Sequence, residues 1–220
     1  MDSKYVPYNY NVITSEDSLE RSRSFYDHIN NRRSVREFSR REVAEEVINN
    51  IIMTASSAPS GAHKQPWTFC AVSNPELKSI IRKAAEEEEY KNYHGRMGEK
   101  WLKDLEKLET NWNKPFLEEA PWLIIVFKKV HDLVDGEKQK NYYVNESVGI
   151  ASGFLISAIH NAGLVTLTHT PSPMNFLEKI LERPSNERAF LLLPVGYPEE
   201  DVKVPDLTRK KLSEVSKFFR

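Results

Sequence analysis

The stretch Trp122-Leu123-Ile124-Ile125-Val126-Phe127 decides the fold class, because it is the longest apolar run in the sequence. A strand with one solvent-exposed face alternates between apolar and polar residues, whereas this run is apolar throughout. We therefore predict a strand over Trp122–Lys128 that is buried on both faces. The run is also far shorter than the roughly 20 residues that cross a bilayer, so we predict no membrane helix.

Helices and further strands interleave with this central run. Strands are predicted at Trp67–Val72, Leu164–Thr170 and Phe190–Val195. Helices are predicted from apolar spacing and composition at Ser18–Asn31, Arg41–Ser57, Glu76–Glu109, Asn145–Ala162 and Phe176–Glu182. Such interleaving favours the α+β class, with one sheet covered by helices in a single domain.

Composition narrows the classes of function. The chain has 220 residues, 40% of them hydrophobic, so one sizeable core is expected. Its 31 basic and 32 acidic residues give a net charge of −1, which excludes general attraction to nucleic acid or to an anionic membrane. The lone cysteine, Cys70, is predicted to be a buried structural thiol. Without metal-ligand spacing or a targeting segment, we expect no metal site and a cytoplasmic protein.

The first candidate binding motif is Arg32-Arg33-Ser34-Val35-Arg36, directly after the end of the first predicted helix. Three guanidinium groups beside a hydroxyl group suit a phosphate, because guanidinium forks match its oxygen atoms. The alternative interpretation of the motif is a solvated basic turn.

Three further segments have both a functional and an ordinary interpretation. In Pro59-Ser60-Gly61-Ala62-His63 a glycine lets the backbone approach a ligand closely, but helix-to-strand connections also use such residues. Thr166–Pro171 ends a predicted strand, where threonines are common for packing reasons alone. Pro205–Lys211 is basic and is equally typical of a solvated tail.

Glu89, Tyr93 and Lys114 form a candidate clamp for an amino acid. Glu89 and Tyr93 are four residues apart and share one face of a predicted helix. A carboxylate beside a phenol can hold an ammonium group, and Lys114 can hold a carboxylate. The alternative is that the run Glu86–Glu89 is only a solvated helix face.

Taken together, these motifs resemble those of the iodotyrosine deiodinases, a family of nitroreductase-like flavoproteins. The resemblance extends from Arg21 to Leu212. It is also carried by Pro66-Trp67-Thr68-Phe69, Arg96-Met97-Gly98, Thr110-Asn111-Trp112, Asn161–Thr166, Leu193–Pro198 and Val204–Leu207 with Arg209-Lys210. His169 departs from the family pattern, which has a threonine there, and the sequence shows no N-terminal membrane anchor like that of the animal members.

The resemblance implies a fold and an assembly. The expected fold is a three-layer nitroreductase-like sandwich, with helices around a mixed, mainly antiparallel sheet. Residues 1–22 are expected to be an N-terminal extension and residues 23–220 an FMN domain. The expected assembly is a homodimer, with the C-terminal extension 204–220 reaching the partner subunit.

The resemblance also implies FMN as cofactor. Arg32, Ser34 and Arg209 are expected at its phosphate, Arg36 at the flavin N1/O2 edge, and Thr168 as a hydrogen-bond donor to flavin N5. The full set of residues expected to contact FMN is Arg32, Arg33, Ser34, Val35, Arg36, Pro59, Ser60, Gly61, Thr168, His169, Thr170 and Arg209.

The implied reaction is reductive dehalogenation of halotyrosines, in one-electron steps. The substrate contacts are expected from Glu89, Tyr93, Lys114 and the backbone N–H of Ala62, which faces the phenolate oxygen. Ala62 and Thr168 are the expected catalytic residues. The electron donor is unidentified, with NAD(P)H as one candidate. The alternatives are a general NAD(P)H-dependent nitroreductase or flavin reductase, and a non-catalytic module that binds flavin or tyrosine.

Overall fold

The structure is a computed structural model of the chain, and it describes residues 5–220. By its internal contacts the chain divides into one unit that ends at Arg32 and a second unit, Arg33–Arg220. The first unit holds helix α1, Ser15–Asn30. Helix α1 begins earlier than predicted because Thr14 caps it reciprocally with Asp17, at 3.1 and 3.3 Å. The predicted boundary after residue 22 lies within α1 and stays a prediction.

The second unit is built on a four-stranded sheet. The strands are β1 (Trp67–Val72), β2 (Trp122–Lys129), β5 (Val165–Thr166) and β6 (Glu187–Gly196), in the spatial order β1-β2-β6-β5. All neighbouring strands are antiparallel, and a parallel bridge between Ser34 and Thr166 lies at the β5 edge. The predicted mixed, mainly antiparallel sheet is confirmed.

Helices cover both faces of this sheet. The helices of one layer are α2 (Glu45–Ser56) and α6 (Val144–Asn161); those of the other are α3 (Pro75–Lys91), α5 (Phe116–Glu119) and α7 (Asn175–Ile180). Strand β2 serves both layers, because Ile124 packs with the first and Leu123 and Phe127 with the second. All three side chains are 0% exposed, and burying each stabilises the fold by about 1.5–3 kcal/mol. The prediction of a strand buried on both faces is confirmed.

The predicted strand Leu164–Thr170 was wrong in its length. Only Val165–Thr166 forms regular strand, paired with the end of β6. The chain then leaves the sheet edge at the exposed Thr168 and returns at His169, which exchanges backbone hydrogen bonds of 2.9 and 3.1 Å with Leu192. Strand propensity could not show this interruption, because the interruption depends on which backbone groups of β6 are available for hydrogen bonding.

The charged segment Glu76–Glu109 is not one helix. Helix α3 ends at Lys91, a π-helical turn covers Asn92–Arg96, and α4 covers Glu99–Glu106 after an extended Gly98. A hairpin of β3 (His131–Val134) and β4 (Glu137–Lys140) was not predicted. Its turn is Asp135-Gly136, where both residues have positive φ, as a tight hairpin turn requires.

Three smaller features complete the described chain. Helix α2 starts at Glu45 rather than at Arg41, and Cys70 is half-buried rather than fully buried. Burial raises the pKa of the Cys70 thiol. The C-terminal extension is irregular except for the short helix α8 (Leu212–Val215). None of the helices within residues 5–220 is both long and apolar enough to cross a membrane.

Candidate functional site

Helix α3 and the π-helical turn that follows it bring two of the predicted clamp residues, Glu89 and Tyr93, to Lys114. The carboxylate of Glu89 lies 3.5 Å from the Lys114 ammonium group, measured from Oε2 to Nζ. The side chains are only 8% and 5% exposed, so this ion pair is buried. Tyr93, one turn beyond Glu89, places its ring 5.5 Å from Lys114 Nζ. The structure therefore gathers the three residues that the sequence predicted as a clamp.

A short irregular segment holds the clamp from the other side. Lys114 Nζ donates to Thr110 Oγ1 at 3.2 Å and to the Asn111 carbonyl oxygen. The Tyr93 hydroxyl donates to the Thr110 carbonyl oxygen at 3.4 Å. With Glu89 as its third partner, the ammonium group has one acceptor for each of its three N–H groups.

Burial shifts the pKa of each clamp residue in the direction that favours the neutral form of that residue. It raises the pKa of the Glu89 carboxyl, and the nearby Lys114 opposes that shift. It lowers the pKa of Lys114, with Glu89 opposing. The pKa of Tyr93 is also raised, mainly by burial. These desolvated charges can exchange partners with the ammonium and carboxylate of an amino acid at little further desolvation cost.

Arg36 lies next to this clamp. Electrostatic interaction couples its guanidinium to Tyr93 and Lys114, and burial lowers the pKa of Arg36. Within residues 5–220 no hydrogen bond or ion pair engages this half-buried guanidinium. Its five N–H groups can therefore serve an anionic or carbonyl acceptor of a ligand.

Part of the predicted phosphate motif, Ser34-Val35, and the segment Thr166–Thr170 lie on one sheet edge. Ser34 bridges Thr166, and the backbone N–H of Val35 donates to the Thr166 carbonyl at 3.2 Å. The side chain of Val35 is buried in the core, so any contact of Val35 with a cofactor has to come from its backbone. Thr168 and Thr170 follow on the same edge and are exposed.

His169 differs from its two threonine neighbours, because its imidazole is buried. It packs edge-on against Phe116, with ring centroids 5.6 Å apart. Its Nε2 atom is buried without a partner within residues 5–220. Burial, together with the positive charges of Lys114 and Arg36, lowers the pKa of His169 to about 3. The imidazole is therefore neutral near neutral pH, and it faces helix α5 rather than the exposed side.

The Gly61–His63 turn has an unusual backbone. Ala62 and His63 adopt left-handed conformations with φ of 50° and 55°, which are uncommon outside glycine and concentrate at functional sites. Gly61 itself is required by packing, because an added Cβ would lie 2.9 Å from the Tyr142 carbonyl oxygen. Its backbone N–H donates to Ser147 Oγ at 3.3 Å. This glycine therefore allows the close approach of the Tyr142 segment, and its predicted contact with FMN stays a prediction.

The remaining predicted residues are spread more widely. Arg33 donates to the Pro205 carbonyl oxygen and so ties the C-terminal extension to the sheet edge. Arg209 is exposed further along that extension, and Pro59 is exposed ahead of the Gly61 turn, with Ser60 half-buried. Arg32 ends the first unit of the chain. No hydrogen bond or ion pair described for residues 5–220 joins the Gly61–His63 turn to the clamp.

Comparison with known proteins identifies the family. The Nitroreductase family model matches residues 29–197. The chain is 60% identical to iodotyrosine deiodinase of Haliscomenobacter hydrossis over 96% of both chains. The chain belongs to the iodotyrosine deiodinase family. It is also 49% identical to iodotyrosine deiodinase 1 of Homo sapiens, over 96% of this chain and 74% of the human protein.

A structural relative supports the same membership. The crystal structure of oxidized iodotyrosine deiodinase bound to FMN and 3-iodo-L-tyrosine has a TM-score of 0.75 and 33% identity to this chain. The match covers 88% of this chain and the whole of that chain, 100%. The nitroreductase-like sandwich expected from the sequence is thereby confirmed.

Some residues around the clamp were not predicted. Thr110 and Asn111 hold Lys114, and Glu86 accepts from the Lys114 backbone N–H at 2.7 Å. Arg82 lies one helical turn before Glu86 and pairs with it at 2.7 Å. The spacing of Arg82, Glu86, Glu89 and Tyr93 along one helix face was the available signal.

Proposed function

We infer that this chain is an FMN-dependent reductive dehalogenase of halotyrosines, converting iodo-, bromo- and chlorotyrosine to tyrosine and halide. The observation that carries this inference is the buried Glu89–Lys114 pair beside Tyr93 and Arg36. Two opposite charges at this spacing match the two charged ends of an amino acid. Membership in a family with a member that binds FMN and 3-iodo-L-tyrosine supports the same conclusion.

The clamp residues recognise the amino-acid end of the substrate. Glu89 receives the substrate ammonium group, and Lys114 receives the substrate carboxylate. Tyr93 closes over both, and its hydroxyl can turn from the Thr110 carbonyl toward the substrate. Because the clamp is desolvated, each ion pair is stronger than it would be in water, and water is kept away from the reacting ring.

The half-buried guanidinium of Arg36, beside the clamp, fits a contact with FMN. Arg36 suits the N1/O2 edge of the flavin, where its positive charge favours the reduced, anionic form. Ser34 and Arg209, with Arg32, are proposed at the phosphate, and Thr168 as the donor to N5. Arg33, Val35, Pro59, Ser60, Gly61, His169 and Thr170 complete the proposed cofactor contacts. When bound, FMN supplies the electrons of the reaction, and they pass one at a time.

Ala62 is proposed to recognise the phenolate end of the substrate. Its left-handed backbone turns the N–H away from ordinary helical pairing, so that it can donate to a substrate oxygen. A halogen next to the hydroxyl lowers the phenol pKa below the value of about 10 for tyrosine. Each carbon–halogen reduction takes two electrons and one proton, leaves hydrogen on the ring carbon and releases halide. A donor to the phenolate oxygen stabilises charge on that ring as the halide leaves.

We propose that the working unit is a homodimer. Helix α6 has an outward face of Gly149, Ile150, Gly153 and Phe154; Ile150 is 44% and Phe154 40% exposed. Both glycines have free space around an added Cβ, so a second helix can approach closely. The Gly61 turn is bonded to Ser147 at the start of α6 and not to the clamp of its own chain. A second copy packed on α6 would bring that turn to the partner's clamp, with the C-terminal extension reaching across.

Light scattering tests the assembly. The parent chain should have twice the monomer mass, and replacing Phe154 with aspartate should shift it toward the monomer with loss of FMN. A monomeric parent that retains FMN and activity would contradict the dimer.

Two alternative functions share the flavin site. A general nitroreductase or flavin reductase has no need for the buried charge pair, which is why we prefer the deiodinase. A non-catalytic flavin or tyrosine module would bind the same ligands without turnover. The electron donor is proposed to be a reductase or NAD(P)H. We further propose a cytoplasmic location, which suits a chain whose single cysteine, Cys70, cannot form an internal disulfide.

Anaerobic single turnover tests the proposed function directly. The FMN-loaded protein is reduced with dithionite and mixed with iodo-, bromo- or chlorotyrosine. One halide and one tyrosine should form per flavin, and tyrosine itself should bind weakly. Flavin that stays reduced in the presence of all three halotyrosines would exclude the dehalogenase and leave the general reductase and the binding module.

A further inference from the structure

Arg82 and Glu86 form a charged network beside the clamp. Glu86 Oε1 accepts from Arg82 Nε and from the Lys114 backbone N–H, both at 2.7 Å. Arg82 also donates to Asn113 Oδ1 and to Glu118 Oε2, each at 3.0 Å. Helix α3 thus contacts the segment that carries Lys114 at two points, the main chain of Lys114 and the side chain of Asn113.

The network acts where the segment lacks regular structure. Thr110–Pro115 belongs to neither helix nor strand, so no backbone ladder fixes the position of Lys114. An Asn111 side-chain bond of 2.8 Å to the Asn113 N–H shapes the turn locally. Glu86 provides the connection from this turn to α3, one turn before Glu89 on the same helix face. Glu86 therefore holds the Lys114 main chain against the helix that carries Glu89.

We propose that Arg82 and Glu86 are positioning residues for substrate recognition, because they fix the Lys114 main chain so that the clamp matches an amino-acid zwitterion. This proposal rests on the proposed dehalogenase function. Neither side chain needs to touch the substrate. Glu86 places the clamp lysine, and Arg82 orients the Glu86 carboxylate through its planar fork. Specificity for halotyrosine over a halophenol then depends on residues outside the clamp.

Binding of two ligands separates this role from a merely structural one. The FMN-loaded parent and variants are titrated with 3-iodotyrosine and with 2-iodophenol, and flavin absorbance gives both dissociation constants. Glu86→Ala should weaken 3-iodotyrosine binding about tenfold or more and change 2-iodophenol binding less than about twofold. Glu86→Gln, which keeps an acceptor oxygen for the Lys114 N–H, should recover part of the loss. Glu87→Ala is the matched control, because Glu87 is exposed on the same helix and, within residues 5–220, pairs only with Lys91.

A second variant tests the route through the clamp lysine. In a Lys114→Ala background, Glu86→Ala should cause no further loss of 3-iodotyrosine affinity, since there is no ammonium left to position. Additive losses would overturn the proposal, as would an equal loss for both ligands. If Glu86→Ala does not fold, Arg82→Lys and Glu86→Gln are used instead. For each, the 3-iodotyrosine dissociation constant is divided by the 2-iodophenol dissociation constant. A ratio equal to that of the parent in both variants rejects the positioning role.

The experiment also separates this proposal from the function on which it rests. A parent that binds 2-iodophenol as tightly as 3-iodotyrosine contradicts the dehalogenase clamp itself. A parent that discriminates strongly, with Glu86 variants that discriminate equally well, leaves the function intact and rejects only the positioning residues.

Discussion

The Glu89 carboxylate and the Lys114 ammonium group neutralise each other in the described chain, 3.5 Å apart and almost entirely removed from water. In the proposed site, a halotyrosine would separate this pair and pair with both members. One buried ion pair is then replaced by two, and the exchange carries no new net charge into the protein. In this proposal the clamp residues are already gathered without substrate, and they serve as partners for each other.

Removing either clamp charge should weaken halotyrosine binding strongly. Truncating one member of a closed charge pair costs about 2–5 kcal/mol, part of which is the penalty for leaving the other charge unpaired. Glu89→Gln and Lys114→Ala should therefore raise the 3-iodotyrosine dissociation constant by about thirtyfold or more. The change is measured by flavin absorbance or by calorimetry.

The halophenol provides the control for these variants. It lacks both charges, so it should bind weakly to the parent and lose little more in either variant, while the flavin spectrum stays unchanged. Loss of halophenol binding to the same extent would mean that the substitutions disturb the pocket as a whole, and the clamp interpretation would fail.

Arg36→Ala should weaken FMN retention. A charge-assisted hydrogen bond contributes about 1.5–3 kcal/mol, which corresponds to roughly tenfold to a hundredfold in the FMN dissociation constant. Arg41→Ala is the control, because its guanidinium stacks on Tyr197 at 3.9 Å instead. FMN release followed by fluorescence gives both constants, and equal values for parent and Arg36→Ala would remove Arg36 from the flavin site.

The sequence alone predicted the features that follow from local pattern. Strand β2 was found because its apolar run needs cover on both faces, as Leu123 and Ile124 show by packing in opposite layers. Glu89 and Tyr93 were placed on one face because helical spacing is regular. Lys114, distant in sequence, was proposed from its charge and was also implied by the family resemblance, and the structure brings it to Glu89.

Features that depend on tertiary pairing could not be predicted in the same way. Thr110 acts through its main-chain carbonyl as well as its hydroxyl, and any residue type has that carbonyl. The guanidinium of Arg33 contacts the Pro205 carbonyl, which is remote in sequence. The space that requires Gly61 is occupied by Tyr142, which is remote in sequence. Each of these roles is fixed by a contact that composition and spacing do not encode.

Thr168→Ala should keep FMN and halotyrosine bound but slow halide release. The side chain is exposed at the edge shared with the phosphate motif, where a hydroxyl can donate to the flavin. Loss of one neutral hydrogen bond is worth about 0.5–1.5 kcal/mol, or roughly twofold to tenfold in rate. Thr168→Ser retains the hydroxyl and should restore the rate. Identical single-turnover rates in the parent and the alanine variant would remove Thr168 from the reaction.

The buried imidazole of His169 should make the fold sensitive to acid. Its pKa is about 3 in the folded chain, against an ordinary 6.5, because burial and the charges of Lys114 and Arg36 disfavour the imidazolium. Between these two values the unfolded chain binds a proton that the folded chain refuses. The contribution of His169 is therefore fully present above pH 6.5 and is lost as the pH falls toward 3. At about pH 4.5 the loss amounts to roughly 2–3 kcal/mol.

His169→Gln keeps a polar side chain of similar size that does not titrate in this range, so it isolates this loss. The free energy of unfolding is measured by urea denaturation at about pH 7 and about pH 4.5 for both proteins. The parent should lose roughly 2–3 kcal/mol more than the variant between these conditions. The comparison between proteins cancels contributions of other groups such as Glu89.

His94→Gln is the control, because His94 is exposed and stacks on Tyr90 at 4.0 Å. The His94→Gln variant should lose as much stability as the parent does. Equal losses in the parent and in His169→Gln would show that the imidazole becomes protonated inside the fold, which would place a hydrogen-bond acceptor or a water path beside its Nε2 atom.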